Sequence, residues 1–270
     1  MKKSTIKITM LTAALLSLLW LFGFTWSIQD FYYEKADEIE GTIAADKDKE
    51  TEQSQDAVQV VALGDSLTRG TGDVSGKGYV GLVTSQLKDD LNSQEMIVSN
   101  LGINGLTSSH LLQQIGQQNI GRQIGRADII LMTIGGNDLF QQGQTLFDMD
   151  LTKVEQLKTQ YLANLEQIFT KIRRYNPEAP LFILGLYNPF IELDDSDVTN
   201  SVIRDWNYAT ETLAGQFNEI VFVPTFDLFQ LSVNNYLYSD HFHPNQEGYR
   251  LISDRLAPLI NWEKEAASHE

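Results

Sequence analysis

The sequence predicts an α/β domain in which a parallel sheet carries helices on both of its faces. Five short apolar runs, rich in β-branched residues and nearly continuous, are typical of strands that are buried on both sides. Segments with helical periodicity separate these runs, and strands that alternate with helices indicate a parallel sheet. The five predicted strands are residues 58–63, 96–98, 129–134, 181–186 and 220–223.

The clearest helical pattern places apolar residues at steps of three and four from Val154 to Tyr175, and it stops just before Pro177. Further helices are predicted near residues 79–91, 108–115, 201–217 and 246–260. Strands and helices together define one domain at about residues 57–262, which is long enough to bury a single core. Residues 263–270 are then a short C-terminal tail.

The N-terminal segment, residues 1–29, has the composition of a membrane anchor. Residues 8–29 carry no charge, and as a helix residues 8–28 would extend about 32 Å, close to the thickness of a bilayer core. Lysines before this stretch and acids after it favour an N-terminus inside the cell. We therefore expect a single-pass protein of the cell membrane, with residues 30–270 outside the cytoplasm. The alternative is a cleaved signal peptide and a secreted protein, although a signal peptide has an apolar core of only about 7–15 residues.

Charge and composition exclude several classes of function. Residues 30–56 hold ten acids against three lysines, which indicates a solvated acidic tether.

The net charge of −16 argues against a nucleic-acid partner, because phosphate binding needs a positive face. The chain has no cysteine, which excludes disulfides and thiolate catalysis. No cofactor is expected, and the sequence leaves the oligomeric state open.

Three polar segments follow predicted strands or lie near the C-terminus, and together they supply the groups that ester hydrolysis needs. Ser66 comes three residues after the first strand and offers a nucleophile. Asn137 follows the third strand and offers an amide donor for an oxyanion. Asp240 stands three residues before His243, so that its carboxylate can reach the imidazole within one local turn. Ligands bind at the carboxyl ends of parallel strands, which is where Ser66 and Asn137 are predicted.

Each segment also has a simpler interpretation. Ser66 alone would be an ordinary helix cap, and the Gly-Gly-Asn-Asp segment around Asn137 alone would be a turn. His241 and His243 with Asp240 would be a conceivable zinc site, although no HExxH motif or cysteine set supports it. His241 is too close to Asp240 in sequence to take the place of His243.

In their order along the chain, the segments resemble the blocks of the SGNH/GDSL hydrolase family. Gly64-Asp65-Ser66-Leu67 resembles the first block, and Asn100 to Gly105 the second. Gly135-Gly136-Asn137-Asp138 resembles the third, and Asp240-His241-Phe242-His243 the final D-x-x-H block. The segment from Gly185 to Pro189 is similar to the family's segment after the fourth strand. The similarity spans nearly all of residues 57–262.

The resemblance implies a flavodoxin-like three-layer α/β/α sandwich and a role for each matching residue. Ser66 would be the nucleophile, His243 the base and Asp240 the acid that orients it. The oxyanion hole would consist of the Ser66 N–H, the Gly105 N–H and the Asn137 amide, with Gly102 a less favoured alternative to Gly105. No metal is implied.

The resemblance leaves the substrate open between two ester hydrolases. One is a lipase or acylhydrolase that cleaves small or lipid-like carboxylic esters near the membrane, and the other is a deacetylase of extracellular glycans. A tethered binding module without activity is a third possibility, against which the intact set of Ser66, Asn137, Asp240 and His243 argues. Apolar residues after the strands are candidates for an acyl groove or for core: Phe140, Leu146, Phe147, Phe190, Ile191, Phe226, Leu228, Phe229 and Leu231.

Overall fold

A five-stranded parallel sheet forms the centre of the domain in the computed structural model, which describes residues 57–90, 95–141, 150–192 and 196–260. The strands are β1 (Val58–Gly64), β2 (Met96–Asn100), β3 (Ile129–Thr133), β4 (Leu181–Leu184) and β5 (Ile220–Val223). Their order is β2-β1-β3-β4-β5, and every neighbouring pair is parallel. The predicted parallel sheet is confirmed, and its strand order is the one found in flavodoxin-like folds.

Ten α-helices connect and flank these strands within the described residues. They are α1 (Ser66–Arg69), α2 (Gly78–Asp90), α3 (Ser108–Gln114), α4 (Gln118–Gly125), α5 (Gly136–Phe140), α6 (Leu151–Tyr175), α7 (Ser196–Ala214), α8 (Phe226–Phe229), α9 (Val233–Tyr236) and α10 (Gln246–Leu256), followed by a 3₁₀ turn at Ala257–Leu259. None of these described helices is long and apolar enough to cross a membrane.

The core has two layers, one on each face of the sheet. On one face, residues such as Val61 and Met132 pack with Leu111, Ile168 and Ile203 of helices α3, α6 and α7. On the other face, the alternate strand residues pack against helices α2 and α10. All five residues of β3 are buried, whereas the edge strands β2 and β5 expose part of their side chains. Helices therefore cover both faces, as the near-continuous apolar runs predict.

The long helix α6 begins and ends where the sequence indicates. Asp150 caps its first turn by accepting a hydrogen bond from Thr152 N–H at 2.8 Å. The helix stops at Tyr175, and the side chain of Asn176 then donates to the carbonyls of Ile124 and Ala127 at 2.9 and 2.8 Å. These bonds fix the chain at the turn before Pro177.

Two predicted elements differ clearly in extent from the structure, and one helix of more than five residues is missing from the prediction. Strand β4 ends at Leu184 instead of residue 186, because both backbone groups of Leu186 bond to the side chain of Asn207 and leave the sheet. Helix α7 starts five residues earlier than predicted, at Ser196, and the prediction omits helix α4. The predicted anchor at residues 1–29, the tether at 30–56 and the tail at 263–270 lie outside the described residues.

Candidate active site

Ser66 lies at the carboxyl end of β1, at the point where the strand order reverses. The chain turns at Gly64, whose φ is +131° and where an added Cβ would lie 1.9 Å from the Thr133 carbonyl oxygen. Only glycine fits there, because strand β3 lies directly alongside. Asp65 then accepts a hydrogen bond from Leu67 N–H at 3.0 Å and caps helix α1, whose first residue is Ser66. The helix start therefore directs the serine toward the sheet's carboxyl edge.

A chain of short hydrogen bonds joins Ser66 to His243 and Asp240. The distance from Ser66 Oγ to His243 Nε2 is 2.8 Å, and that from His243 Nδ1 to Asp240 Oδ2 is 2.7 Å. Ser66 is buried, and the His243 side chain is 19% exposed. This geometry allows a proton to pass from the serine hydroxyl to the imidazole while the carboxylate holds the opposite ring nitrogen.

The second carboxylate oxygen of Asp240 is held by the backbone. Asp240 Oδ1 accepts hydrogen bonds from the N–H groups of Phe242 and His243, both at 3.0 Å. Burial alone would raise the pKa of this carboxyl group, but the hydrogen bonds from the His243 side chain and from these N–H groups outweigh it and lower the pKa. Asp240 is therefore ionised at neutral pH and fixed in orientation.

Contacts from distant parts of the chain hold the segment that carries His243. Tyr187, in the loop after β4, donates its hydroxyl to the Phe242 carbonyl at 2.5 Å. The Tyr238 N–H donates to the His243 carbonyl at 2.7 Å. Gly72, with φ +96°, lies so close that an added Cβ would be 3.0 Å from His243 Cβ and 2.4 Å from the Pro244 carbonyl oxygen. These contacts place the imidazole over Ser66.

The side chain of Asn137 is oriented by a backbone carbonyl. Its Nδ2 donates to the Leu106 carbonyl at 3.0 Å, which leaves its second amide hydrogen available for a ligand. The following residue, Asp138, accepts two hydrogen bonds from Ser108 N–H and one from its hydroxyl. Asp138 thus ties the start of helix α5, which carries Asn137, to the start of helix α3.

The two glycines considered as backbone donors differ in their availability. Gly102 is buried and donates its N–H to Asn100 Oδ1 at 3.0 Å, so this N–H is already used. Gly105 is exposed and has φ +75°, and within the described residues no acceptor faces its N–H. This difference favours Gly105 over Gly102 as a donor to substrate.

A buried polar network lies beneath Ser66. Asp65 accepts a hydrogen bond from the Thr133 hydroxyl at 2.7 Å, and Thr133 in turn contacts the hydroxyl of Thr68 at 2.7 Å. Thr68 also contacts the Tyr79 hydroxyl at 3.0 Å. Burial, the largest influence, raises the pKa of the Asp65 carboxyl group, and the hydrogen bonds from Thr133 and Leu67 oppose it only in part. The network anchors the turn before Ser66 to strand β3 and helix α2.

Two depressions meet at Asn137. The first, which we call the apolar pocket, has a volume of about 30 Å³, and Ser66 and Asn137 are among the residues that line it. Its apolar walls come from Leu67, Ile134, Phe140, Leu184, Leu186, Tyr187, Pro189 and Phe242. The second, the polar groove, is an open space of about 540 Å³ on the far side of Asn137. Hydroxyl and amide side chains line much of it: Thr107, Ser109, Gln141, Gln160 and Asn164.

The structure therefore brings Ser66, Asn137, Asp240 and His243 to one edge of the sheet. His241 does not join this group, since the hydrogen bonds to Ser66 and Asp240 are made by the ring of His243. His241 is exposed, and its backbone adopts a left-handed conformation with φ +55°. Within the described ranges, no three His, Asp or Glu side chains are grouped closely enough to hold a metal ion. The apolar candidates divide: Phe140 lines the apolar pocket, Phe226 and Phe229 belong to the core, and Leu231 is 93% exposed. Leu146 and Phe147 lie outside the described residues.

Sequence reasoning did not find the contacts that support the site. Tyr187 belongs to the fourth matching segment, but its role in holding Phe242 depends on a partner 55 positions away. Gly72 carries no motif, and only its positive φ and its closeness to His243 show its importance. The sequence offered one indication of these contacts, which is the presence of a glycine shortly after the Ser66 block.

Comparisons with known proteins agree on one family. A profile of the GDSL-like lipase/acylhydrolase family matches residues 62–251. The uncharacterized protein YpmR of Bacillus subtilis is 33% identical over 78% of this chain and 84% of its own length. The spore germination lipase LipC of Bacillus licheniformis is 28% identical over 74% of this chain and 94% of its own.

Solved structures show the same relationship in three dimensions. The lipase Lip_vut3 from a goat rumen metagenome is similar with a TM-score of 0.68 and 28% identity, over 74% of this chain and 96% of that one. Axe2, an acetylxylan esterase from Geobacillus stearothermophilus, shares the fold with a TM-score of 0.59 and 22% identity, over 78% of this chain and 96% of that one. The resemblance seen in the sequence is thereby confirmed. The chain belongs to the GDSL-like lipase/acylhydrolase family and is an enzyme that hydrolyses ester bonds.

Proposed function

We propose that the protein is a serine esterase that cleaves carboxylic esters through an acyl-enzyme on Ser66. The observation that carries this proposal is the continuous hydrogen-bond chain from Ser66 Oγ through His243 to Asp240, with distances of 2.8 and 2.7 Å. A serine hydroxyl is a weak nucleophile at neutral pH, and an adjacent imidazole held by a carboxylate activates it.

In the proposed first step, His243 Nε2 takes the Ser66 proton as Oγ attacks the ester carbonyl carbon. Asp240 keeps the proton of His243 on Nδ1, so that Nε2 is free to accept, and it stabilises the imidazolium that forms. The imidazolium then donates its Nε2 proton to the departing alcohol. Water attacks the acyl-enzyme in the second half of the reaction, and the same nitrogen accepts and returns the proton.

The negative charge on the carbonyl oxygen needs donors during both steps. We assign this role to the N–H groups of Ser66 and Gly105 and to the side-chain amide of Asn137. Support comes from the free hydrogen of the Asn137 amide, from the free N–H of Gly105, and from the position of Ser66 as the first residue of its helix, where N–H groups have no partner within the helix. One such donor typically contributes about 2.7–4 kcal/mol of transition-state stabilisation.

The ester substrate has two candidate classes. Lipase-like esters are supported by the apolar walls of the pocket beside Ser66. Acetylated glycans are a second candidate, because the polar groove on the other side of Asn137 presents hydroxyl and amide groups that can hydrogen-bond to sugar hydroxyls. In both cases the reacting carbonyl would sit between Ser66 and Asn137.

We also propose that the enzyme acts outside the cytoplasm, anchored in the membrane by residues 1–29. The uncharged residues 8–29 and the preceding lysines support this location, and the acidic residues 30–56 would serve as a tether. The alternative is secretion after cleavage of the same segment.

The central test is the Ser66→Ala variant. We expect ester hydrolysis to fall to background while the circular dichroism spectrum is unchanged, because Ser66 Oγ contributes one hydrogen bond to the fold and removing it leaves no cavity larger than one atom. Ser85→Ala is a matched control, since within the described residues its exposed hydroxyl bonds only to the Gly81 carbonyl, one turn earlier in helix α2, at 2.7 Å. Near wild-type turnover in Ser66→Ala would show that another group is the nucleophile.

A further inference from the structure

We infer that the apolar pocket receives the acyl group of the substrate and limits it to short chains of about two to four carbons, with Phe140 as the residue that sets the limit. This inference rests on the proposed acyl-enzyme at Ser66. It adds the class of acyl chain, which the choice between lipase-like and glycan esters leaves open.

The position of the pocket identifies which arm of the ester enters it. Ser66 and Asn137 both line the pocket, so a carbonyl carbon bonded to Ser66 Oγ would have the pocket next to it. The departing alcohol must instead reach the proton on His243 Nε2 and then leave toward solvent. The walls are mostly hydrocarbon, which suits an alkyl chain and not a polyhydroxylated alcohol.

The volume of the pocket sets the length of the chain. A cavity that holds one water molecule has a volume of about 10–15 Å³. A pocket of about 30 Å³ therefore has room for two or three groups of the size of a water molecule or a methyl group. An acetyl methyl group or the first two methylenes of a butyryl group fill this room. A chain of eight or more carbons exceeds this volume and would have to displace residues of the apolar wall.

Phe140 is held firmly in the apolar wall of this pocket. It is 5% exposed and meets Phe190 edge to face, with ring centroids 5.3 Å apart. It meets Phe242 in the same way at 5.9 Å. Such edge-to-face pairs contribute about 0.5–1.5 kcal/mol beyond the burial of their surface, so moving one ring disturbs both contacts.

The two rings of this wall, Phe140 and Phe242, are also coupled to the catalytic groups through the chain itself. Phe140 lies three residues after Asn137 in helix α5, and Phe242 directly precedes His243. The hydrogen bond from the Tyr187 hydroxyl to the Phe242 carbonyl fixes this second ring against the pocket. A long acyl chain that pushed the rings apart would therefore also displace Asn137 or His243.

Gly136 offers a way to narrow the pocket without strain. It lines the pocket, and among the described residues outside its own helix an added Cβ would meet only Leu186 Cδ2, at an ordinary contact distance of 3.8 Å. Its φ lies outside the left-handed region, so alanine is compatible with the backbone. The variants Gly136→Ala and Phe140→Ala should thus change the acyl preference in opposite directions.

The test is a series of p-nitrophenyl esters from acetate to dodecanoate, with kcat/KM measured on the full-length protein in one mild detergent. The wild-type enzyme should be most active on acetate to butyrate and at least about tenfold less active on octanoate, since one misfitting methylene changes kcat/KM by about 10–200-fold. Phe140→Ala should raise the octanoate-to-acetate ratio by about tenfold, and Gly136→Ala should lower the butyrate-to-acetate ratio by a similar factor. Phe140→Leu, which keeps an apolar side chain, replaces Phe140→Ala if that variant does not fold.

Phe217→Ala is the matched control, because Phe217 is also a partly buried ring in an edge-to-face contact, here with Phe169. Phe217 precedes β5 and so lies near the amino end of that strand, whereas the pocket lies at the carboxyl edge of the sheet. Its ratios should equal those of the wild type. Wild-type activity on octanoate or dodecanoate equal to that on acetate, or unchanged ratios in both pocket variants, would overturn the inference while Ser66-dependent hydrolysis stands. No hydrolysis of any ester would overturn the proposed function, and this inference with it.

Discussion

Replacing Asp240 by asparagine isolates the electrostatic part of the proposed mechanism. Asp240 Oδ1 accepts two backbone hydrogen bonds, from Phe242 and His243, and the asparagine carbonyl oxygen can keep both. The amide nitrogen must then take the place of Oδ2, 2.7 Å from His243 Nδ1, where it can only donate. The imidazole is therefore forced to carry its proton on Nε2, the nitrogen that has to accept the proton of Ser66.

The expected loss follows from this change of tautomer. An aspartate-to-asparagine change in a serine–histidine–aspartate site typically lowers kcat about 10⁴-fold, which corresponds to about 5.4 kcal/mol in the activation barrier. Stability should fall by no more than about 1 kcal/mol, because the charged hydrogen bond that lowers the Asp240 pKa is lost, whereas the side chain is 40% exposed and its two backbone bonds are kept. The assay is kcat for p-nitrophenyl acetate, together with a thermal melt of each protein.

Asp227→Asn is the control for this prediction. Asp227 is also an exposed aspartate in a short ion pair, 2.7 Å from Arg255, but it lies away from Ser66 in helix α8. Its replacement should leave kcat unchanged. If Asp240→Asn loses less than about tenfold in kcat, the carboxylate does not set the tautomer of His243, and the proposed role of Asp240 is wrong.

The remaining predictions concern the second histidine, the buried acid and the N-terminal segment. His243→Ala should lower kcat by several orders of magnitude. His241→Asn should lower kcat less than about threefold, and asparagine suits the left-handed backbone at position 241. Equal losses in the two variants would contradict the assignment of His243 as the base and favour a metal site formed by both histidines. Burial raises the pKa of Asp65, so its carboxyl group binds a proton more tightly in the folded state than in the unfolded state. The contribution of Asp65 to stability therefore falls as the pH rises from 3.8, the usual pKa of the group, to its higher pKa in the folded state. Asp65→Asn keeps the bonds to Thr133 and Leu67, so in urea melts it should gain stability relative to the wild type as pH rises from about 4.5 to about 7.5; a difference independent of pH would contradict this. After cell fractionation, the protein should be found in the membrane and be digested by protease added to spheroplasts; full protection would refute the proposed topology, and a soluble form starting near residue 28 would indicate a cleaved signal.

The location of the site could be predicted from the sequence because parallel strands end at a common edge. Ser66 and Asn137 each follow a strand whose apolar run is visible, and these strands, β1 and β3, are neighbours in the sheet. The choice of His243 over His241 depended on local turn geometry alone, and the hydrogen bond to Asp240 has that geometry. Local sequence patterns were therefore sufficient to predict a site residue wherever its place depends on the end of one strand or on one local turn.

Features that depend on distant parts of the chain could not be predicted. Phe140, Phe226 and Phe229 all occur in similar apolar segments, yet only Phe140 lines the pocket, because its neighbours Phe190 and Phe242 come from two other loops. Helix α4 was missed because its sequence, QNIGRQIG, has few apolar residues and two glycines, and tertiary packing of Ile120 and Ile124 stabilises it. The early end of β4 likewise depends on Asn207, a residue of helix α7.

The most direct measurement of the central claim is covalent trapping of the nucleophile. The purified full-length protein is treated with a reactive phosphonate ester, which is attacked only by an activated hydroxyl, and the labelled peptide is identified by mass spectrometry. We predict one adduct, on Ser66, and a rate of labelling that falls by several orders of magnitude in His243→Ala. An adduct on a different residue, or equal labelling of Ser66 in His243→Ala, would contradict the hydrogen-bond chain as the source of activity.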